Sequence, residues 1–475
     1  MKHGWIYNLA GITLLFSTSS LIFAQESKDT LYYDLNIRTT LGTGSFAPFL
    51  STANQYDRYS LTPNSTSLWG SLHKPLDHTA TFDYGFGTEL DATFSTEEKR
   101  FFPGELYVEG KAWFMVFTAG MKQQLYGNND PILSSGGMIW SSNSRPMPRL
   151  SLESDDYLKV PYTKGFVEVK GGITHGWFSD STVTANTLLH YKYAGIRLGG
   201  KWPVHINYML HHVAQWAGTS PVYGTSPANL ANFLRVLMGR SGDSSSPDTE
   251  QLNALGNHII SKNIGLEVNI KKAVLELYWQ NIYEDGPIHF MYKTFNVEDG
   301  LWGLALKMPA CKPIQRLVVE YMSTTDMSGP WHDLDGVIYG GQDSYYNNSV
   351  YTNGWSFYGM TMGNPWITSP KYNTDYDNGE VSITNNRLRL YYLAGMGEIK
   401  KVTYKAVFAY SQNYGATWVP GVCKEQYSWL LETKTPISFL RNTAFTAGFS
   451  GDWGALYGNN YAVILGLSWD GLLSW

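Results

Sequence analysis

Much of the chain alternates, residue by residue, between apolar and polar side chains. The pattern is clear in residues 263–270 (NIGLEVNI), 402–410 (VTYKAVFAY) and 461–469 (YAVILGLSW). Side chains of a β-strand point alternately to its two faces, so this period predicts strands whose faces meet different surroundings. In a soluble β-sandwich the apolar face lies inside, whereas in an outer-membrane barrel it faces lipid. The alternation alone leaves both architectures open.

The composition excludes several classes of protein. Of the 475 residues 16% are charged, 15% are aromatic and 47 are glycine, whereas a typical soluble domain carries about 25% charged residues. A chain so rich in aromatic residues and so poor in charge is not disordered. After the N-terminal segment no apolar run approaches the ~20 residues of a membrane-spanning helix. The net charge of −5 gives no reason to expect a nucleic-acid partner.

The lengths of the connections between the predicted strands favour the outer-membrane barrel. Short connections alternate along the chain with long ones that are rich in polar and aromatic residues. The short connections lie at 200–203, 271–272 and 397–400, and the long ones at 217–262, 283–299 and 325–351. In outer-membrane barrels the short turns are periplasmic and the long loops extracellular. We therefore predict an all-β fold, a transmembrane antiparallel β-barrel of about 18 strands, with a soluble sandwich or jelly roll as the alternative.

One segment has the periodicity of a helix. Residues 227–240 (PANLANFLRVLMGR) place apolar side chains three and four positions apart, at Leu230, Phe233, Leu234, Leu237 and Met238. We predict a short amphipathic helix within the long loop 217–262. Its apolar stripe is expected to pack against the underside of the same loop.

The N-terminus has the features of an export signal. Lys2 and His3 precede an interrupted apolar stretch that ends at Ala24. A short basic start, an apolar middle and a small residue before the cleavage point are typical of a secretory signal peptide. We predict removal of residues 1–24, an outer-membrane location, and one barrel domain over 25–475. An N-terminal membrane anchor is the alternative.

The sequence lacks the common motifs of enzyme chemistry. It contains no His-Glu-x-x-His, no Gly-x-Ser-x-Gly and no phosphate-binding glycine loop. His211 and His212 are adjacent and would point to opposite faces of a strand, which argues against a metal site. Residues 373–379 (NTDYDNG) resemble the start of a calcium loop, but the glycine comes one position late. We predict no catalytic residues, no metal and no cofactor.

Two further expectations depend on the topology. Cys311 lies on the short-turn side and Cys423 in a long loop on the opposite side, so we expect the two thiols not to be bonded to each other. The second expectation concerns the strand that begins near residue 402. In it, Val402, Tyr404, Ala406 and Phe408 are predicted to face lipid, and Lys401, Thr403 and Lys405 the lumen.

The long loop 325–351 and the residues just after it combine aromatic rings with carboxylates. The candidate side chains are Trp331, Asp333, Asp335, Asp343, Tyr345, Tyr346 and Trp355. Exposed rings can stack on sugars while neighbouring carboxylates accept hydrogen bonds from hydroxyl groups, so these residues form a candidate saccharide-binding site. The alternative is that the same residues pack the loop or lie at the membrane interface.

Several unusual strings lie in order along most of the chain. They are 44–56 (GSFAPFLSTANQY), 133–148 (LSSGGMIWSSNSRPMP), 189–192 (LHYK), 211–216 (HHVAQW), 227–242, 256–258 (GNH), 343–348 (DSYYNN) and 354–365 (GWSFYGMTMGNP). Together they resemble the Wzi family of capsule-assembly outer-membrane proteins, in the form common in Bacteroidetes-type envelopes. Ala47 and Ser51 depart from the family pattern. The resemblance identifies no individual sugar-binding residue.

The resemblance implies a closed barrel with a lectin-like role, one that holds capsular or extracellular polysaccharide on the cell and is neither an enzyme nor an open pore. The expected partners are that polysaccharide and outer-membrane lipid, and the expected state is a monomer. The alternative from another class is a substrate-specific diffusion channel with a water-filled lumen. In that case Lys401, Lys405, Arg387 and Arg389 would face Glu267 and Glu276 across the lumen.

Overall fold

The structure, a computed structural model, describes most of the chain. The described residues are 30–180, 183–247, 250–251, 254–284, 297–327, 332–334, 337–339, 343–373, 382–417 and 419–474. The predicted signal peptide, Trp331, Asp335 and most of the calcium-like stretch 373–379 lie outside these ranges.

Eighteen antiparallel strands form a closed barrel, as the sequence predicts. They are β1 (Thr30–Thr43), β2 (Ser65–Lys74), β3 (Phe82–Ser95), β4 (Lys99–Ala112), β5 (Met115–Met121), β6 (Arg149–Ser154), β7 (Val167–Trp177), β8 (Leu188–Leu198), β9 (Val204–Trp216), β10 (Asn257–Ile270), β11 (Ala273–Gln280), β12 (Gly300–Lys307), β13 (Arg316–Ser323), β14 (Leu388–Ile399), β15 (Val402–Ala416), β16 (Val419–Pro436), β17 (Thr443–Gly454) and β18 (Asn460–Ser474). The first strand pairs with the last from Thr30 opposite Ser474 to Thr43 opposite Tyr461, which closes the wall and leaves no free sheet edge.

The remaining regular elements are short. Two helices, α1 (Phe49–Thr52) and α2 (Leu230–Met238), and one 3₁₀ turn (Pro370–Tyr372) lie in the connections. Further short strands are Leu158–Lys159, Gly218–Ser220, Gly224–Ser226, Tyr283–Glu284, His332–Leu334, Val337–Tyr339, Ser356–Phe357 and Met360–Thr361. No helix in the described ranges is long and apolar enough to cross a membrane.

The two faces of the wall match an outer-membrane barrel. On β15 the Phe408 side chain is 49% exposed, whereas Thr403, Val407 and Ala409 are buried, which confirms the predicted register of the strand. Lys401 lies exposed in the turn before β15 and not in the lumen as predicted. Most outward positions on the other strands are likewise apolar and exposed, while acidic and hydroxyl side chains such as Asp91 are buried inside. A soluble sandwich would show the opposite arrangement.

Aromatic side chains form a row on the outer face of the wall. Directly paired residues on the neighbouring strands from β11 to β17 supply it, namely Trp279, Trp302, Tyr321, Tyr391, Tyr410, Tyr427 and Trp453. In five of the six consecutive pairs the ring centroids are between 4.8 and 6.0 Å apart. Aromatic residues on the lipid-facing side are typical of outer-membrane barrels.

The short turns predicted at 200–203 and 271–272 are confirmed, the one predicted at 397–400 is shorter and lies at 400–401, and the bounds of the long loops need correction. The 271–272 turn joins β10 to β11, and Lys271 adopts a positive φ of 51°, as tight hairpins require. The loop after β9 ends at residue 256, because β10 already begins at Asn257. The loop predicted at 325–351 is part of a much longer connection, 324–387.

Two other residue predictions change with the structure. Cys311 and Cys423 are both free, but Cys423 lies within β16 and not in a long loop, since β15 and β16 form one long hairpin. Arg389 shares the outward face of β14 with Tyr391 and is exposed, so it does not line the lumen.

Three extracellular connections fold inward and fill the barrel. We call residues 44–64, 122–148 and 343–373 the plug segments. Their side chains pack with inward residues of the strands in one large apolar core that includes Phe49, Leu133, Met138, Trp366 and Val318. Hydrogen bonds fix the plug segments to polar groups of the wall, for example from the Met138 N–H to Gln280 Oε1 at 2.9 Å.

Candidate functional site

Three of the sequence-predicted site residues lie inside the barrel. Tyr345, Tyr346 and Trp355 each have 0% of their surface exposed and belong to the apolar core. The Trp355 Nε1–H donates to the Ile139 carbonyl oxygen at 2.8 Å, and the Tyr345 hydroxyl donates to Asp299 Oδ2 at 2.8 Å. A ring enclosed in this way has no free face for a sugar. In this structure the three residues therefore have a packing role, because buried aromatic residues with a polar tip need a partner for that tip.

The other predicted residues are not gathered with these three. Asp343 is partly exposed, and its carbonyl oxygen accepts a hydrogen bond from the Thr417 hydroxyl at 2.5 Å. Asp333 lies in the short strand His332–Leu334, which pairs with Val337–Tyr339. Trp331 and Asp335 are outside the described residues.

A single buried carboxylate joins the plug segments at the outer end of the barrel. Asp57, from the first plug segment, accepts hydrogen bonds from Arg100 Nη1 at 2.9 Å and from Lys371 Nζ at 2.7 Å, and it also pairs with Arg145. Burial alone would raise the pKa of Asp57, but the charges of Lys371, Arg100 and Arg145 hold that pKa at about 2. The group is therefore ionised at any physiological pH.

The neighbouring residue ties the same segment to the wall. Arg58 Nε lies 2.7 Å from Asp91 Oδ1, and the Arg58 guanidinium also pairs with Glu89. Both acidic residues are inward side chains of β3. Adjacent residues of one plug segment therefore carry opposite charges and bind oppositely charged partners.

The part of this charged region that reaches solvent forms a small cluster, which we call the mouth cluster: Arg145, Asp180, Tyr358 and Lys371. The Arg145 guanidinium lies 4.1 Å from the ring centroid of Tyr358 and 3.9 Å from that of Phe102. The Tyr358 N–H donates to Asp180 Oδ2 at 2.8 Å. Burial is the main cause of the raised pKa of Asp180. Tyr358 is 38% exposed, so the cluster offers an aromatic ring beside both cations and a carboxylate.

Local backbone geometry explains why Tyr358 is exposed. Ser356–Phe357 and Met360–Thr361 pair as a tight hairpin whose two turn residues, Tyr358 and Gly359, have φ values of 50° and 75°. Positive φ at both positions is typical of a two-residue turn that matches the strand twist. The Lys371 N–H donates to the Gly359 carbonyl oxygen at 3.1 Å, which places the lysine beside the turn.

The mouth cluster can do what sugar recognition requires. The partly exposed Tyr358 ring suits an apolar patch of a sugar, and the charged groups suit hydroxyl or carboxylate groups of a glycan. Arg145 and Tyr358 lie in two of the strings that carry the family resemblance, which is the one sequence signal that pointed to them. Nothing in the sequence indicated that residues so far apart would meet.

In the parts of the chain that the structure describes, no three His, Cys, Asp or Glu side chains lie close enough together to hold a metal ion. His211 and His212 do point to opposite faces of β9. The His211 Nδ1 lies 2.8 Å from the Tyr191 hydroxyl, while His212 Nε2 lies 2.7 Å from His258 Nδ1.

A comparison with a solved structure shows the same fold. Wzi of Escherichia coli, described as an outer-membrane protein involved in group 1 capsule assembly and a carbohydrate-binding β-barrel, matches with a TM-score of 0.58 and 10% identity. The match covers 91% of this chain and 83% of that one. OccK5 (OpdH) of Pseudomonas aeruginosa matches with a TM-score of 0.47 and 10% identity, over 94% of this chain and 98% of that one.

Sequence comparisons give a more specific result. A search of curated proteins found no match. The family model described as capsule assembly protein Wzi matches residues 25–371, most of the chain. The protein therefore belongs to the Wzi family of capsule assembly proteins and is an outer-membrane β-barrel.

Proposed function

We propose that this protein binds capsular or extracellular polysaccharide at the outer surface of the cell and helps to anchor or assemble it there, without catalysing a reaction. Membership of the capsule assembly family carries the proposal. The filled barrel supports it, because the plug segments occupy the space that a diffusion channel would need. The description of the Escherichia coli Wzi barrel as carbohydrate-binding suggests the class of ligand.

The proposed contact surface is the mouth cluster together with the exposed part of the loop that follows β13. The cluster supplies the ring of Tyr358, the cations of Arg145 and Lys371 and the carboxylate of Asp180. Trp331, Asp333, Asp335 and Asp343 remain proposed as further contacts from the same loop. Tyr345, Tyr346 and Trp355 then support this surface from below.

Several finer features belong to the same proposal. We propose an exported, monomeric protein with a removed leader over 1–24 and a single barrel domain over 25–475, of the form common in Bacteroidetes-type envelopes. The outer wall, with exposed apolar side chains, is suited to outer-membrane lipid. The net charge of −5 supports the expectation that nucleic acid is not a partner.

The proposal is tested in cells that lack the protein. We expect such cells to shed polysaccharide into the medium, and expression of the natural chain to restore the cell-bound fraction. Tyr358→Ala should restore it less well, because loss of one stacking ring weakens binding by about 1 kcal/mol or more. The matched control is Tyr162→Ala, a fully exposed tyrosine in the short connection between β6 and β7 at the opposite end of the barrel. Unchanged retention in cells without the protein would overturn the proposal.

A further inference from the structure

Helix α2 lies against the outside of the barrel wall. On β9 the side chain of Trp216 is on the same face as Ile206 and Tyr208, which are exposed to the outside. Phe233 of α2 packs on this face, with its ring centroid 5.9 Å from that of Trp216 and 5.6 Å from that of His190. Val236 of the helix is fully buried in the same contact. The helix therefore covers the outer ends of β8 and β9 from the side on which lipid lies.

Beside the apolar residues Ala214 and Trp216, the wall beneath the helix carries a group of polar side chains. The outward positions here carry His175 on β7, His190 and Lys192 on β8, His212 on β9 and His258 on β10. They share the outward face with exposed apolar residues lower on the same strands, such as Ile196 and Ile264. His190 and His258 are almost completely buried, and Lys192 Nζ donates to the Leu237 carbonyl oxygen of the helix. Polar groups of this kind are costly against hydrocarbon and need a cover.

The opposite face of the helix is apolar and open. Leu230, Leu234 and Met238 follow one another at intervals of four residues and are 72%, 43% and 46% exposed. The helix is well defined at both ends, since the Asn229 side chain caps its N-terminus and Gly239 ends it with a left-handed φ of 61°. Its sequence contains no acidic residue. An apolar row on a short helix without negative charge is typical of helices that lie in a membrane interface.

We infer that α2 is an interfacial helix whose Leu230, Leu234 and Met238 row contacts the acyl chains of the outer leaflet. The helix separates the histidine and lysine side chains of the wall from lipid and presents its own apolar row in their place. Ile206, Tyr208 and Ile264 are exposed on the same strands, further from the outer end than the part that the helix covers, so the row continues the lipid-facing surface of the barrel. The prediction that the whole apolar stripe packs under its own loop is therefore wrong, because Phe233 packs against the barrel wall and Leu230, Leu234 and Met238 are exposed.

The test places a fluorescent probe on the row. In a Cys311→Ser, Cys423→Ser background of the full chain, Leu234→Cys is labelled with an environment-sensitive dye. The protein is then inserted into vesicles of phosphatidylethanolamine and phosphatidylglycerol, with or without nitroxide groups on the acyl chains. We expect a blue-shifted emission and a loss of fluorescence with the nitroxide lipids. Because both leaflets have the same composition, the result does not depend on the direction of insertion.

Two matched positions calibrate the measurement. Phe408→Cys on β15 gives the response of a lipid-facing residue, and Ser244→Cys, exposed in the same loop as α2, gives that of a residue in water. Leu230→Cys repeats the test on the row in case one label disturbs the helix. The folding of each variant is checked by comparing the mobility of heated and unheated protein in gel electrophoresis. A Leu234 probe that responds like Ser244 would overturn the inference. So would a probe that is blue-shifted but not quenched by the nitroxide lipids, since protein, such as a second copy of the chain, would then cover the row.

Discussion

Asp57 shows how a single residue can hold separate parts of this chain together. Its hydrogen-bond partners Arg100, Arg145 and Lys371 are 43, 88 and 314 residues away in the sequence. Charges removed from water are tolerated only when they are paired, so no plug segment can shift without leaving a charge uncompensated. A sequence pattern records spacing along the chain and contains no sign of such distant partners.

We predict that Asp57→Asn destabilises the plug. The variant leaves three cations around a neutral amide, and breaking a buried ionic network by removing one partner costs about 3–5 kcal/mol. The measurement is the midpoint of urea unfolding in lipid vesicles, followed by tryptophan fluorescence. Asp156→Asn is the control, because Asp156 is exposed in the connection after β6. Equal midpoints for the two variants would show that the Asp57 network carries no stability.

The pH dependence of the Asp57 network follows from the direction in which the pKa of Asp57 is shifted. The pKa of Asp57 is lowered from 3.8 to about 2 in the folded protein, so its contribution is complete above the unfolded value and is lost as the pH falls toward 2. We expect the difference in unfolding midpoint between the natural chain and Asp57→Asn to be constant at neutral pH and to shrink only in strong acid. A difference that already disappears near neutral pH would contradict the lowered pKa.

The carboxyl group of Asp299 contributes to stability with the opposite dependence on pH. Burial is the main cause that raises the pKa of Asp299, which lies in a loop, to about 6, so its contribution to stability is lost as the pH rises through that value. Comparing the natural chain with Asp57→Asn at each pH cancels this background and isolates the Asp57 network.

Aromatic residues beside carboxylates illustrate a limit of sequence analysis. The same composition suits a sugar-binding surface and a buried cluster, because both use a flat apolar ring with a polar partner at its edge. Tyr345 and Tyr346 follow the second pattern and are fully buried. Tyr358 follows the first, although its surroundings in the sequence are no more polar than theirs.

At the scale of elements, the strands were predictable and the plug segments were not. The register of β15 follows from its alternation alone, since a slip by one residue would turn every apolar side chain to the wrong face. Residues 122–148 have no such period, and their partners lie in 343–373 and on the inner wall. The structure of these segments therefore depends on contacts with residues far away in the sequence.

We predict that Ala406→Arg impairs folding into membranes. Ala406 is on the lipid-facing side of β15, where a cation costs ~2–4 kcal/mol at the bilayer midplane. The control is Val422→Arg at the exposed outer end of β16, where the cost near the interface falls to about 0–1 kcal/mol. The measurement is the folded fraction after insertion into vesicles, read from the mobility of heated and unheated protein in gel electrophoresis. Equal folded fractions would mean that Ala406 does not face lipid.

At the scale of the whole molecule, the inner wall itself indicates how the lumen is filled. Residues 316–323 (RLVVEYMS) form β13, in which Val319 faces outward and is exposed while Val318 and Met322 face inward and are buried. The same inward face also carries Arg316 and Glu320, which bind Asp130 and Ser134 of the second plug segment, whereas the buried Val318 and Met322 need apolar partners. This part of the wall therefore needs an apolar filling, which Leu133, Met138 and Ile367 of the plug segments supply within the same core.

The filled lumen gives a prediction that separates this barrel from a diffusion channel. We expect the natural chain to give no reproducible single-channel steps in planar bilayers. Trp355→Ala should give transient steps, because removing a fully buried tryptophan costs about 3–5 kcal/mol and loosens the packing of the plug. Trp177→Ala, at an exposed position at the outer end of β7, removes a ring of the same size without touching the plug and should stay silent. Steady conductance by the natural chain would mean that the plug segments leave an open path in the membrane, and the channel would then be the better account of this barrel.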